Sequence, residues 1–392
     1  MKIPAVRDTG IIDLPEGALA GGVLLTIHRL SQGGADRVTM LLANGFAAAG
    51  IPTGVCVFRD GGEGERPLLE LLDDQVLLSH AGPPLGSRHL ELVRGFRHVQ
   101  RQIARARPGI VFASSSNMGL VTGLCARRSG KSRPGFIMKL TNPVLRPRDR
   151  GMLRELYRRT LYRFIFGSYD RVLILSEEER RALTRLLPEH RERFKTAANP
   201  YVASEMLAAA PNRQPGGAHI LALARMMPQK RLDRLLDAFA RVSNKQARLT
   251  ILGDGPERNM LERRARALGI EERVSMPGFV EDVLPWLRRA DLFALSSDYE
   301  GLPAAVLEAL ACNVPVVTTD CFDAARPLLA GAARCATVPR DDVDALASAI
   351  DESLATPEIP MNLDAIARPY AFDTAIAAHV DVLRDMLARR LS

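Results

Sequence analysis

"GGVLLTIHRLSQGGADRVTMLLANGFAAAG", residues 21–50, holds a whole strand–loop–helix unit. Its first part is a short apolar run bounded by glycine on one side and charge on the other, the mark of a strand buried on both faces. The pair Gly33-Gly34 then opens a helical stretch that stops at Gly50. A buried strand feeding a helix through a glycine loop is the building block of a parallel sheet.

The same rhythm repeats outward. TGVCVF, a helix from Arg88 to Arg107, GIVFA, GFIMKL and RVLILS continue it in the first half. In the second half come AHILALA, a helix from Leu232, RLTILG, a helix from Glu257, RVSMPG, LFALSS, a helix from Pro303 and VPVVTTD. Between them, EMLAAAPNRQPGG loses regularity and gathers Pro and Gly. The expected organisation is therefore a domain over 1–204, a linker over 205–217 and a second domain over 218–370. A C-terminal helix over 371–392 is expected to pack across the junction. The fold class is α/β, two facing doubly wound Rossmann-like domains with a ligand cleft between them.

Composition narrows the function. With 47% hydrophobic and 25% charged residues the 392-residue chain reads as globular, with no apolar run long enough to span a bilayer. The N-terminus lacks the apolar core of a signal peptide, because Asp8, Asp13, Pro15 and Glu16 interrupt it. Five cysteines form no C-x-x-C, so buried thiols in a reduced, cytoplasmic setting are expected. The +8 net charge is lopsided: Gly86–Phe166 carries 18 Lys/Arg against three Asp/Glu, so the rest of the chain is net acidic. An anionic partner facing the first half follows.

Candidate chemistry gathers at strand ends. In YEGLPAAVLEALACNVPVV (299–317), Glu300 lies in a loop and Glu308 about a turn and a half into the next helix. Pro303 suits the first helical position, and free N–H groups near Gly301, Leu302 and Ala304 would make an anion site. Helical side chains lean toward the N-terminus, so Glu308 could reach a ligand there and accept a ribose diol. Arg225 and Lys230 sit in a strand–helix loop, placed to neutralise a pyrophosphate. Without side chains, Gly33 and Gly34 let the backbone approach a phosphate or sugar. Their pattern is not G-x-G-x-x-G, which disfavours a dehydrogenase.

Gly33-Gly34-Ala35-Asp36-Arg37, Arg225 with Lys230, Gly278-Phe279 and the E-x7-E from Glu300 to Glu308 together resemble the retaining nucleotide-sugar glycosyltransferases of family 4, with the GT-B fold. The resemblance covers nearly the whole chain and is strongest from about Ala218 to Asp320. It implies that Glu308 binds the ribose hydroxyls and Glu300 a hydroxyl of the donor sugar, Glu300 positioning rather than attacking. It implies that Gly301-Leu302-Pro303 and Gly33 contact sugar and phosphates, that Arg225 and Lys230 hold the diphosphate, and that Gly278-Phe279 holds the base. No metal is required on this pattern, since cationic side chains and helix dipoles stabilise the leaving group.

There are departures from the family. The loops where many members carry an acceptor-side histidine read SSSNMG and LTNPV, offering Asn117 and Asn142, and His28, just after the first strand, is the histidine nearest the expected cleft. Asn199-Pro200 stands where the family commonly has Asn-Gly.

Two helices of the first half are strongly basic. In one, Leu92, Val93, Phe96, Val99 and Ile103 form a stripe beside Arg94, Arg97, Arg101 and Arg105. In the other, Leu153, Leu156, Tyr157, Leu161, Phe164 and Ile165 oppose Arg154, Arg158 and Arg159. Arginines beside aromatics suit an anionic membrane surface, where a polyprenyl-diphosphate-linked saccharide acceptor would also be presented. No nucleic-acid module appears. The expectation is a hexosyltransferase on the inner face of the cytoplasmic membrane, moving sugar from a UDP- or GDP-linked donor to a lipid-linked acceptor in envelope or exopolysaccharide assembly. A non-catalytic GT-B subunit and a sugar-nucleotide epimerase remain as alternatives.

Overall fold

The computed structural model describes residues 11–30, 34–59, 69–130, 133–144, 151–207, 212, 218–355 and 361–391. They fall into two compact units, the first running to Pro200 and resuming at Asp373, the second running from Tyr201 to Phe372.

The first unit contains β1 (Val23–Ile27), α1 (Gly34–Ala48), β2 (Thr53–Val57), β3 (Leu77–His80), α2 (Arg88–Ala106), β4 (Ile110–Ala113) and α3 (Gly119–Arg128). It continues with β5 (Gly135–Lys139), α4 (Met152–Phe166), β6 (Arg171–Ile174), α5 (Glu177–Leu186) and β7 (Phe194–Thr196). Its seven parallel strands run in the order β3-β2-β1-β4-β5-β6-β7. Val23 pairs with Thr53 on one side and Ile110 on the other. Every residue of β1, β2, β4 and β5 is buried, as a parallel sheet covered on both faces requires.

The second unit begins with α6 (Ser204–Leu207) and β8 (His219–Leu223), then α7 (Leu232–Arg241), β9 (Arg248–Leu252), α8 (Arg258–Ala267) and β10 (Val274–Gly278). There follow α9 (Leu284–Arg289), β11 (Leu292–Leu295), α10 (Ala304–Ala311), β12 (Val316–Thr319), α11 (Ala325–Leu329), β13 (Ala336–Val338), α12 (Val343–Ala355) and α13 (Asp364–Ala367). Its six parallel strands are ordered β10-β9-β8-β11-β12-β13.

The units divide at Pro200/Tyr201, earlier than the 205–217 linker expected from sequence. Val202 is fully buried and its carbonyl accepts the Phe372 N–H at 2.9 Å, which draws 201–207 into the second unit. Local Pro and Gly content could not report that long-range pairing. The last helix, α14 (Phe372–Leu391), lies in the first unit from Asp373 onward. It presses so closely on α1 that a Cβ on Gly45 would meet Ile376 at 2.4 Å. Its His379 is fully buried and takes a hydrogen bond from Lys139 Nζ at 2.7 Å.

Candidate functional site

In each sheet the strand order reverses at one place, and the loops leaving the strands there open a crevice for ligand. In the second unit that place lies between β8 and β11. The loop after β8 ends in a single 3₁₀ turn, Pro228–Lys230, and the loop after β11 carries Glu300. The two meet directly. Lys230 Nζ donates to Glu300 Oε1 at 2.6 Å, and Ser297 Oγ donates to the same oxygen at 2.7 Å. Glu300 is only 9% exposed, and Oε2 has no partner among the described residues. A carboxylate held on one oxygen and open on the other is built to accept a hydroxyl at the second.

The frame around this pair is hydrogen-bonded throughout. Gln229 Nε2 donates to the Tyr299 carbonyl at 2.7 Å, and Asp298 N–H to the Gln229 carbonyl at 2.9 Å. Ser296 Oγ donates to the carbonyls of Lys230 and Arg231. Arg234, 2% exposed, donates to the Ser296 carbonyl and to Asp298. From the next strand, the Cys321 carbonyl accepts the Glu300 N–H at 2.7 Å. Burial, with the Glu300 charge adding to it, pushes the Cys321 thiol up to about 12, so this cysteine packs and does not react. Sequence reading missed Ser296, Ser297, Asp298 and Arg234. The one local signal was the polar run Ser296-Ser297-Asp298 closing an apolar strand.

Arg225, predicted to share the diphosphate with Lys230, is exposed and has no side-chain partner among the described residues. Lys230 instead has Glu300 as its first partner, which leaves two of its three N–H bonds for a ligand. Pro303 is the N-cap of α10 and not its first helical residue: its ψ of 118° is extended, and its carbonyl receives the Val306 N–H at 3.2 Å. The helix therefore opens on the N–H groups of Ala304 and Ala305, which precede any intrahelical acceptor. Gly301 is half-buried, Leu302 and Pro303 are buried, and Glu308 is half-buried among buried Val306, Leu307, Ala309 and Leu310.

At the far end of the same edge, Gly278 closes β10 with φ +98° and Phe279 stands 63% exposed. The Gly278 carbonyl accepts from Gly253 N–H at 2.8 Å. Gly253 has φ +125°, and a Cβ there would lie 2.2 Å from the Ala224 carbonyl oxygen, so the β9 and β8 loops touch only because the residue is glycine. This glycine was not singled out from sequence.

In the first unit the order reverses between β1 and β4. His28 follows β1, and Asn117 stands exposed in the 3₁₀ turn after β4. Asn142, half-buried after β5, is tied to that turn through its own N–H on Ser116 Oγ at 3.3 Å. His28 Nε2 lies 3.1 Å from Oε2 of Glu91, a residue 2% exposed on α2. Gly34 begins α1; Gly33 lies outside the described residues.

The basic helices need correction. Arg94 is half-buried and spends its guanidinium on the carbonyls of Phe58, Gly82 and Pro83, so it braces a loop. Arg101 is half-exposed near Asp13, and Arg158 donates to the Val144 carbonyl. Arg97 and Arg154 are exposed, and Arg159 is half-buried. The apolar stripe of α4 is largely outside: Leu153 is 76% exposed and Leu156 and Tyr157 nearly as open, with Met152 beside them. Only Tyr162, Ile165 and Phe166 enter the core, because the helix meets the sheet through its last turns. Between α2 and α3 runs an apolar groove of about 670 Å³, floored by Leu92, Phe96 and Val121, flanked by Val93, Leu120 and Leu124, and edged by Arg127 and Arg128. Among the described residues no helix is long and apolar enough to cross a membrane, and no cluster of three or more His, Cys, Asp or Glu could hold a metal.

The chain is similar to known proteins over most of its length. Residues 33–200 match the glycosyl transferase 4-like domain and residues 217–356 the glycosyl transferases group 1 domain. The lipopolysaccharide core biosynthesis glycosyltransferase LpsE of Rhizobium meliloti is 36% identical over 100 residues, 26% of this chain and 29% of that protein. A GDP-mannose-dependent alpha-(1-6)-phosphatidylinositol monomannoside mannosyltransferase of Mycolicibacterium smegmatis is 33% identical over 165 residues, 39% of this chain and 43% of that one. The chain thus spans less than half the length of either relative. Among solved structures, sucrose-phosphate synthase from Thermosynechococcus elongatus superposes with a TM-score of 0.78 over 94% of this chain and 99% of its own, at 17% identity. That likeness speaks to the fold, the GT-B arrangement of two Rossmann-like domains. With both domain types in order along it, the chain belongs to the group 1, family 4-like glycosyltransferases.

Proposed function

We propose that the protein is a retaining glycosyltransferase that moves a hexosyl unit from a nucleoside diphosphate to a lipid-linked saccharide during lipopolysaccharide or exopolysaccharide synthesis. The observation that carries this reading is the Lys230–Glu300 pair at the second sheet's reversal point, with exposed Arg225, which has no side-chain partner among the described residues, in the same loop as Lys230. Glu300 Oε2 accepts a hydroxyl of the donor sugar. Arg225, the two remaining Lys230 N–H bonds and the first N–H groups of α10 take the diphosphate, whose charge grows as the sugar leaves. Glu308 accepts the ribose hydroxyls, and Phe279 offers an exposed ring beside the base. On this reading no divalent ion is needed, because fixed cations supply the countercharge.

Calorimetry against UDP, GDP, ADP and CDP in EDTA tests it. One nucleotide is expected to bind, and Glu308→Ala to weaken it by about 1.5–3 kcal/mol, the worth of hydrogen bonds to a charged group. Folded protein that binds none of the four would sink the reading in favour of a non-catalytic subunit.

A membrane surface is the second part of the proposal, and the α2–α3 groove favours it. Exposed Leu90, Val93, Leu120 and Leu124 lie beside exposed arginines in the chain's most basic segment, which suits apolar insertion beneath anionic headgroups. The protein is expected to co-sediment with phosphatidylglycerol vesicles but not phosphatidylcholine ones, and less in high salt. Leu120→Asp with Leu124→Asp should cut that binding at least about tenfold, since two charges then enter the hydrocarbon. Equal sedimentation of variant and parent would refute insertion through this face.

A further inference from the structure

We propose that His28 and Glu91 form the site on the first unit that holds the acceptor's attacking hydroxyl, His28 touching it and Glu91 positioning the ring. This rests on the glycosyl-transfer reading and adds to it Glu91, a residue that neither sequence nor family resemblance singled out, together with the role of each atom of the pair.

His28 is the first residue beyond β1, beside the sheet's reversal point, where a doubly wound unit binds its ligand. Its carbonyl accepts the Arg59 N–H at 2.9 Å, which fixes its backbone to the extension of β2. Its ring turns Nε2 toward Glu91 at 3.1 Å, while the side chain keeps 18% exposure. Glu91 is nearly sealed. Its other oxygen takes the Leu85 N–H at 3.2 Å and lies 3.7 Å from Arg59 Nε. A second buried group waits at the same edge: the Ser114 hydroxyl, just past β4, is 2% exposed and has no partner among the described residues.

A buried carboxylate behind a partly exposed imidazole is a costly arrangement for packing alone. The contact is one of charge: Nε2 is buried and makes no hydrogen bond among the described residues, and Glu91 at 3.1 Å favours a proton on Nε2, which leaves the lone pair on Nδ1. His80, His98, His190 and His379 are all buried, whereas His28 keeps part of its side chain open beside the reversal point. Nδ1 of His28 would accept the O–H of a saccharide hydroxyl and aim its oxygen, and the neutral ring is the working form. The charges around the ring are Glu91 and Arg88 from α2, Arg29 next in the chain, and Arg59 from the end of β2. Burial holds the imidazole below its ordinary 6.5, with Glu91 pulling the other way.

The test uses water as the acceptor. Release of nucleotide from UDP-glucose and GDP-mannose is followed across pH in the full chain, with calorimetry of the same sugar nucleotides alongside. His28→Gln and Glu91→Gln are each expected to lower the hydrolytic kcat about 10–100-fold, with KM for the sugar nucleotide unchanged. The parent's rate should fall on the acid side as His28 protonates. Glu91→Gln should move that limb to lower pH, because the charge that favours the imidazolium is gone. A pH limb and kcat unmoved in both variants would overturn the proposal, as would kcat and KM changing together with a lowered melting temperature. If the parent binds neither sugar nucleotide, the glycosyl-transfer reading itself fails and this proposal falls with it; binding without His28 dependence overturns only the proposal.

Discussion

Replacing Lys230 by methionine is expected to lower turnover of the sugar nucleotide by about 10²–10³-fold and to destabilise the fold by about 3 kcal/mol. Both losses have one cause. Glu300 is 9% exposed, and with Lys230 gone its carboxylate keeps only the Ser297 hydroxyl at 2.7 Å. An unpaired carboxylate in a site that dry must either stay charged at high cost or take up a proton, and in neither state does Oε2 present the same acceptor. Lys230→Arg should not rescue turnover, because a planar fork cannot reproduce a single 2.6 Å contact made from a short 3₁₀ turn. The double variant Lys230→Met with Glu300→Gln should be more stable than Lys230→Met alone while remaining inactive, since the orphaned charge is then removed. Thermal unfolding and nucleotide release from UDP-glucose or GDP-mannose measure the two effects separately. Turnover of Lys230→Met within threefold of the parent would show that the pair is structural only.

The second large effect concerns stability and pH. Lys139 is fully buried on β5, where Nζ donates to the Ala197 carbonyl at 2.8 Å and to His379 Nε2 at 2.7 Å, while His379 Nδ1–H donates to the Ala375 carbonyl. Burial brings the Lys139 ammonium down to about 7, with nearby Glu179 opposing, and holds His379 well below 6.5. Both groups bind protons more weakly in the folded chain than in the unfolded one. Between about pH 7 and 10.5 the unfolded lysine is protonated and the folded one is losing its proton, so stability rises with pH there, by up to about 1.4 kcal/mol per unit. Below 6.5 the unfolded histidines take up protons that buried His379 refuses, and stability falls again on acidification. Lys139→Met should flatten the alkaline rise. His379→Leu should cost about 1–3 kcal/mol, because Lys139 is then left buried with one acceptor. Urea unfolding from pH 6 to 10 reads both; identical slopes in parent and Lys139→Met would rule out the lysine as the titrating group.

These two pairs also show where sequence reading ended. Lys230 and Glu300 were each placed at a strand end from local pattern, yet their bond was not foreseen, and Lys230 was given only to the diphosphate. Seventy residues separate them, and only the adjacency of β8 and β11 brings their loops together. Glu91 was invisible for a similar reason. On its helix it looks like an ordinary acid in a first turn, and nothing local says that it is buried behind His28. The basic helices misled in the opposite sense. Arg94, expected on a membrane-facing patch, is spent on carbonyls, and apolar period alone does not tell which turns reach the sheet and which, like Leu153, Leu156 and Tyr157, stay exposed.

By itself the sequence determined the alternation of buried strands and helices, the two parallel sheets and the strand ends that carry Arg225, Lys230 and Glu300. Burial on both faces and turn chemistry are written into short windows of residues. The tertiary structure alone decided that Lys230 grips Glu300, that Glu91 backs His28, that α14 joins the first unit, and that an apolar groove stays open beside α3. Those outcomes depend on strand order and on which loops it sets side by side, and no local window of sequence contains that information.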